Sequence, residues 1–154
     1  MEYRIVCGDG YENVIKDLLG KCSMPNKKVH KGLKFVLEYK STPIGCVRVV
    51  PSRDQKSVLI ASLCVLEEHR GNGSGKYLME YVHHWCRIAG VKAIYLAAVD
   101  KAVDFYRRLQ YTDIPLDGKV PYEFIKPMVK IFEEYRDGDY AFKITNYMLL
   151  NLEE

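Results

Sequence analysis

Residues 63–81 read LCVLEEHRGNGSGKYLMEY, and the rest of the chain is organised around them. An apolar strand runs out at Leu66. A short polar turn over Glu67-Glu68-His69-Arg70 follows, and Gly71, Gly73 and Gly75 then lead straight into a helical pattern. Glycines let backbone N–H groups approach a ligand with no side chain in the way. A helix N-terminus adds unpaired N–H donors and roughly half a positive charge. Strand, glycine turn and helix start together make a seat for phosphate.

Two common phosphate loops do not fit this seat. A Walker A loop needs a glycine where Arg70 stands and a Ser or Thr where Tyr77 stands. The dinucleotide fingerprint G-x-G-x-x-G fails in register, because the third glycine position after Gly71 and Gly73 is Lys76. The spacing that fits is Arg70-Gly71-Asn72-Gly73-Ser74-Gly75. It resembles the acetyl-CoA loop, Arg/Gln-x-x-Gly-x-Gly/Ala, of the GCN5-related N-acetyltransferases. A second block, Ala102-Val103-Asp104-Phe105-Tyr106-Arg107-Arg108-Leu109-Gln110-Tyr111, is similar to that family's A-x-x-F-Y-x-x-L-G-Y segment, with Gln110 where the family usually has glycine. The recognisable part covers residues 57–112. The resemblance implies an α/β (α+β) fold: a mixed, mostly antiparallel sheet with helices on both faces, opening into a V between the fourth and fifth strands, where CoA lies.

Composition sets bounds around that reading. The 154 residues are the length of one domain, 1–154, long enough to bury a sizeable core. A net charge of +3 is too small to argue for nucleic acid. No apolar run reaches membrane-spanning length. The N-terminus, MEYRIV, enters a strand pattern without the basic and apolar segments of a signal peptide, so an intracellular, cytoplasmic setting is the default expectation. The five cysteines, Cys7, Cys22, Cys46, Cys64 and Cys86, form no C-x-x-C pair and fall mostly in apolar segments, which reads as buried reduced thiols.

Along the chain, Tyr3 to Cys7 reads as a strand, and Asp9 is placed to cap a helix carrying Val14, Ile15, Leu18 and Leu19 to about Gly20. Lys21 to Lys34 is the most basic stretch and, with Pro25, Asn26 and Gly32, reads as a loop or a broken short helix. Strands follow over Leu33 to Tyr39, Ile44 to Val50 after a turn at Thr42-Pro43, and Ser57 to Leu66 after a hairpin at Ser52-Arg53-Asp54-Gln55. The helix from Gly73 to Gly90 places Leu78, Val82, Trp85 and Ala89 on one face, and Lys76, Glu80, His83, His84 and Arg87 mostly on the other. Adjacent His83 and His84 point about a hundred degrees apart, so they do not share a metal ion. A strand over Lys92 to Ala98 comes next. Asp100 then offers an N-cap to a helix with Ala102, Tyr106 and Leu109 buried. Pro115, Pro121 and Pro127 punctuate residues 113–139, with a short helical pattern at Met128 to Tyr135. Tyr140, Phe142, Ile144, Met148, Leu150 and Leu152 alternate as a closing strand.

The chemistry follows from the resemblance. The implied cofactor is acetyl-CoA. Backbone N–H groups from Arg70 to Lys76, that is Arg70, Gly71, Asn72, Gly73, Ser74, Gly75 and Lys76, would seat its diphosphate. Free main-chain groups of Leu63, Cys64 and Val65 at the end of the central strand would meet the pantetheine arm, and one N–H there would polarise the acetyl carbonyl. Tyr106 matches the tyrosine that protonates the departing sulfur. The central strand has no carboxylate to serve as general base. Glu67 and Glu68 lie beside the phosphate seat, and a water chain, Tyr122 or Tyr140 are the remaining candidates. Cys64 lies near the acetyl group by register and also reads as a packed small hydrophobe.

The blocks look most like the branch of the family that acetylates protein N-termini, the actin type, and a basic Lys21–Lys34 stretch suits an acidic N-terminus as partner. A small-molecule amine (polyamine, amino sugar or amino-acid derivative) is the alternative acceptor. A CoA-binding module without turnover is the reading from another class. No metal, membrane or nucleic-acid partner is implied, and the chain reads as a monomer or a homodimer.

Overall fold

The computed structural model describes residues 2–27, 29, 31–117 and 119–152. Its elements, in chain order, are β1 (Tyr3–Cys7), α1 (Glu12–Lys21), β2 (Leu33–Tyr39), β3 (Thr42–Pro51), β4 (Ser57–Val65), α2 (Ser74–Ile88), β5 (Ala93–Val99), α3 (Val103–Arg108), β6 (Thr112–Asp113), α4 (Tyr122–Asp137) and β7 (Ile144–Asn151). The strands form a seven-stranded sheet in the order β1-β2-β3-β4-β5-β7-β6. The β1–β2, β2–β3, β5–β7 and β6–β7 pairs are antiparallel, and β4–β5 is parallel. This is the mixed, mostly antiparallel α/β architecture expected from the sequence.

The chain forms two compact units. The first comprises Met1–Val50 with Ala61–Trp85. Its core begins with Ile15, Leu18 and Leu19, which the helical repeat places on one stripe of α1, and these pack with Cys22, Val36, Cys46 and Cys64. On α2, Leu78, Met79 and Val82 are fully buried. The second unit comprises Pro51–Ile60 with Cys86–Glu154. There β4 pairs with β5 from Ser57↔Ala93 to Ile60↔Leu96, and β5 pairs along its length with β7. The stretch between β6 and β7 is mostly α4, which buries Phe124, Met128 and Tyr135.

Several local expectations are corrected. The β2–β3 turn lies at Lys40-Ser41, not Thr42-Pro43. Both residues have positive φ (51° and 68°), as a primed hairpin turn requires, but neither is the Asn or Gly that marks such a turn in sequence. Neither Asp9 nor Asp100 caps a helix through its side chain. The Asp9 carboxylate instead lies 3.7 Å from Lys34 Nζ. On α2, His83 is buried, while Ala89 lies exposed beyond the helix end at Ile88, so the buried stripe is turned from the one expected. Helix α4 starts six residues earlier than the Met128 expected (128 − 122) and runs through Pro127, which therefore does not act as a stop. The apolar stripe through Phe124 and Met128 holds the helix across the missing N–H. Tyr140 and Phe142 precede β7 rather than joining it, and Tyr140 packs against the Tyr135 ring at 5.4 Å.

Two helices end alike. After α2, Gly90 takes φ +82°, Gly90 N–H donates to Arg87 O at 3.2 Å, and Val91 N–H donates to Cys86 O at 2.9 Å. After α3, Gln110 takes φ +76°, Gln110 N–H donates to Arg107 O at 2.9 Å, and Tyr111 N–H donates to Tyr106 O at 3.1 Å. Both are Schellman ends with a left-handed residue at the C′ position. This explains the glycine usual at the second position, and shows that Gln110 keeps the turn at a conformational cost. A left-handed side-chain-bearing residue costs about 1–2 kcal/mol, of which glycine returns roughly half through its larger loss of freedom on folding. Gln110→Gly is therefore expected to stabilise the chain by about 0.5–1 kcal/mol, read from the midpoint of denaturant unfolding at unchanged slope. A lower midpoint would contradict this account of the turn.

Candidate functional site

In the first unit, β4 runs out at Val65 and its end is tied down from several sides. Leu66 N–H donates to Ile44 O at 2.8 Å. Arg70 Nε donates to Val65 O at 2.7 Å, and the Cys22 thiol points to the same carbonyl at 3.6 Å. A single 3-10 turn over Glu67–His69 follows. It closes with Arg70 N–H on Glu67 O at 3.1 Å. Of the groups expected to face a cofactor, the Val65 carbonyl and the Arg70 N–H are thus already engaged.

The glycines then set the loop. Gly71 and Gly73 take φ +82° and +90°, and a Cβ built on either would meet no atom within 4 Å. Packing does not demand glycine here. The left-handed backbone does, and the space in front of it is open. Helix α2 begins at Ser74, and its first backward bond runs from Tyr77 N–H to Gly73 O at 2.9 Å. By helix geometry the N–H groups of Ser74, Gly75 and Lys76 have no intrahelical acceptor. Among the described residues, those of Gly71, Asn72 and Gly73 also make no backbone hydrogen bond. A row of unpaired amides therefore lines one short, exposed turn, with the positive end of α2 behind it. That donor set fits a diphosphate.

Side chains hold the turn in shape. Ser74, buried, donates from Oγ to Asn72 Oδ1 at 2.9 Å, and the Tyr3 hydroxyl lies 2.7 Å from the same Oγ. The Tyr3 ring packs at a tilt against Tyr39 and Tyr77, with ring centroids 5.3 and 5.0 Å apart. Sequence reasoning missed Tyr3, which reads only as a strand residue seventy-one positions from Ser74. No local pattern signals such a contact.

Cys64 is a packed core residue. Its Sγ lies 3.5 Å from Cys46 Sγ. A hydrogen bond with Cys22 lowers its thiol, but the bond with Cys46 and burial outweigh it and hold the thiol well above the ordinary cysteine range. A protonated thiol is a poor nucleophile, so the packing reading holds. Among the described residues, no group of three or more His, Cys, Asp or Glu is placed to hold a metal ion.

Tyr106 lies in the second unit, on α3, 6% exposed. Its ring meets Phe105 edge-on at 5.2 Å and Tyr111 at 5.6 Å. Among the described residues no hydrogen bond ties its hydroxyl and no buried side-chain oxygen is left unpaired, so the hydroxyl end is not sealed in. Burial pushes the phenol well above its usual range. It therefore stays protonated at any ordinary pH, as a proton donor must. Of the other tyrosines considered, Tyr122 is 90% exposed and Tyr140 is stacked on Tyr135. Glu67 and Glu68 are exposed on the 3-10 turn of the first unit.

The basic stretch is smaller than it reads. Lys34 is buried, with Nζ 3.7 Å from Asp9 and 3.8 Å from Glu12, and Lys21 pairs with Asp17 at 3.0 Å. Lys27 and Lys31 are exposed. Lys28 and His30 lie outside the described residues.

A model of the acetyltransferase (GNAT) domain matches residues 30–113, which takes in the glycine loop and Tyr106. An uncharacterized N-acetyltransferase of Chlorobaculum tepidum is 30% identical over 106 residues, 69% of this chain and 65% of that protein. The chain thus spans just under two thirds of that relative. N-acetylglutamate synthase from Neisseria gonorrhoeae, complexed with coenzyme A and L-arginine, superposes with a TM-score of 0.74 at 14% identity, covering 99% of this chain and 34% of that one. Ard1 from Thermoplasma volcanium superposes with a TM-score of 0.72 at 12% identity, over 100% of both chains. At such identities these structures show a shared fold. With the domain match, the open glycine turn at the start of α2 and the sheet order, they place the chain: it belongs to the GCN5-related N-acetyltransferase (GNAT) family.

Proposed function

We propose that this chain is an acetyl-CoA-dependent N-acetyltransferase acting on a primary amine. One observation carries the reading: the amides from Gly71 to Lys76 without a backbone partner at a helix start, with open space at the Cβ positions of Gly71 and Gly73. Acetyl-CoA, when bound, supplies an acetyl group activated as a thioester. The chain's own groups do the rest. The loop amides hold the diphosphate, with the positive end of α2 behind them. A main-chain N–H of Leu63, Cys64 or Val65 polarises the acetyl carbonyl, an effect typically worth about 3 kcal/mol. The acceptor nitrogen attacks the acetyl carbon as the free amine and forms the C–N bond, the C–S bond breaks, Tyr106 delivers its proton to the departing sulfur, and the proton shed by the acylated nitrogen passes through water to restore the phenol.

The acceptor we favour is a peptide or protein N-terminal α-amine. The similarity of the two motif blocks to that branch supports it. Lys27 and Lys31 supply what remains of a basic rim for an acidic acceptor.

Tyr106→Phe is expected to lower kcat about a hundredfold while leaving CoA affinity within about twofold. Because burial raises the phenol, the unaltered chain should show no falling limb in its pH–rate profile below about pH 10. A falling limb under pH 10 that vanishes in the Tyr106→Phe variant, or equal loss of kcat and affinity, would remove Tyr106 from the acid role. In an acceptor panel followed by thiol release, an acidic N-terminal peptide is expected to outcompete polyamines, at a rate that falls with added salt. A polyamine, amino sugar or amino acid turned over faster would move the acceptor to small molecules. CoA binding with no turnover on any acceptor would leave a binding module.

A further inference from the structure

We propose that Tyr3 is a positioning residue for the cofactor loop, acting through Ser74 and Asn72; this inference rests on the acetyl-CoA reading above. The Ser74 hydroxyl has one proton, and it is donated to Asn72 Oδ1 at 2.9 Å. The 2.7 Å contact between Tyr3 and Ser74 Oγ is therefore a bond donated by the tyrosine. The chain of donors runs one way: Tyr3 O–H to Ser74 Oγ, Ser74 O–H to Asn72 Oδ1. Bonds in such a series strengthen one another, most of all where one member is buried, as Ser74 is.

The end of this chain is Asn72, the residue between the two left-handed glycines. Gly71 and Gly73 meet nothing within 4 Å at their Cβ positions, so no packing on that side holds the turn. Left alone, a turn of this kind must be ordered when a ligand arrives, and that ordering weakens binding. The Asn72 side chain anchors its middle to the first residue of α2. Ser74 is in turn anchored to β1 through a tyrosine whose ring is itself clamped by Tyr39 and Tyr77. The turn that carries the amides of residues 71–76 is thereby held in one shape before the diphosphate comes. Tyr3 touches no reacting atom, so its effect falls on cofactor binding rather than on chemistry.

The test measures CoA affinity by calorimetry, and kcat and KM for acetyl-CoA, on the full chain. Tyr3→Phe keeps the clamped ring and removes only the donor. It is expected to weaken CoA binding about three- to tenfold and raise the acetyl-CoA KM in step, with kcat at saturation retained. Ser74→Ala is expected to weaken binding to a similar extent, and the double variant little further, because both break one chain. Tyr11→Phe is the control. It removes a hydroxyl from the same unit, from a ring packed on the core around Ile15 rather than on the loop, and should leave affinity unchanged. Equal affinity in Tyr3→Phe and the unaltered chain overturns this inference alone. So does an equal loss in Tyr11→Phe, or additive losses from Tyr3→Phe and Ser74→Ala. No CoA binding by the unaltered chain overturns the acetyl-CoA reading and this inference with it.

Discussion

A backbone N–H away from water must find an acceptor, and a helix start leaves several that the chain itself cannot satisfy. Here the turn before α2 adds to that shortage instead of relieving it. Ser74 spends its hydroxyl on Asn72 rather than on a backbone amide. Arg70, the charged residue of the motif, turns back to the Val65 carbonyl. The two left-handed glycines put no side chain into the space in front. The Ser74 proton takes up the Asn72 oxygen that could have accepted from an amide, and the glycines bring no acceptor of their own, so a cluster of donors suited to an anion of diphosphate size is left. The Arg70 bond has a different effect: it fixes the end of β4 against the loop, so strand end and loop keep one geometry.

In the proposed reading the second unit carries the other chemical group by different means. A proton donor needs a ring held in place and a phenol that stays protonated, and Tyr106 on α3 meets both. The ring is set between Phe105 and Tyr111, and Tyr111 is brought round by the left-handed turn at Gln110. The family glycine at that position thus belongs to helix-end geometry rather than to chemistry. Gln110 departs from the consensus while keeping the turn that places Tyr111.

What could be read in advance divides along the range of the forces involved. Strands with period-two patterns and the strand–glycine–helix unit depend on neighbours in sequence, and β1, β2, β4 and α2 fall close to where the sequence puts them. The glycine loop was legible because its function lies in backbone conformation, which glycine spacing reports directly. The errors arose where a distant residue overrode a local preference. Asp9 looked like a cap and went to Lys34 instead. Pro127 looked like a breaker and was carried by the buried stripe of α4. Lys34 looked like part of a basic surface and is buried among two carboxylates and a carbonyl. Tyr3 gave no signal, since only the fold brings β1 to the start of α2.

The central claim is that the amides of one short turn bind the diphosphate of coenzyme A. Backbone amide NMR of the labelled chain during a CoA titration addresses it residue by residue. The account predicts that the largest saturating shifts fall on Gly71 to Lys76. Shifts concentrated elsewhere while these amides stay in place, or no saturable shift anywhere, would contradict it.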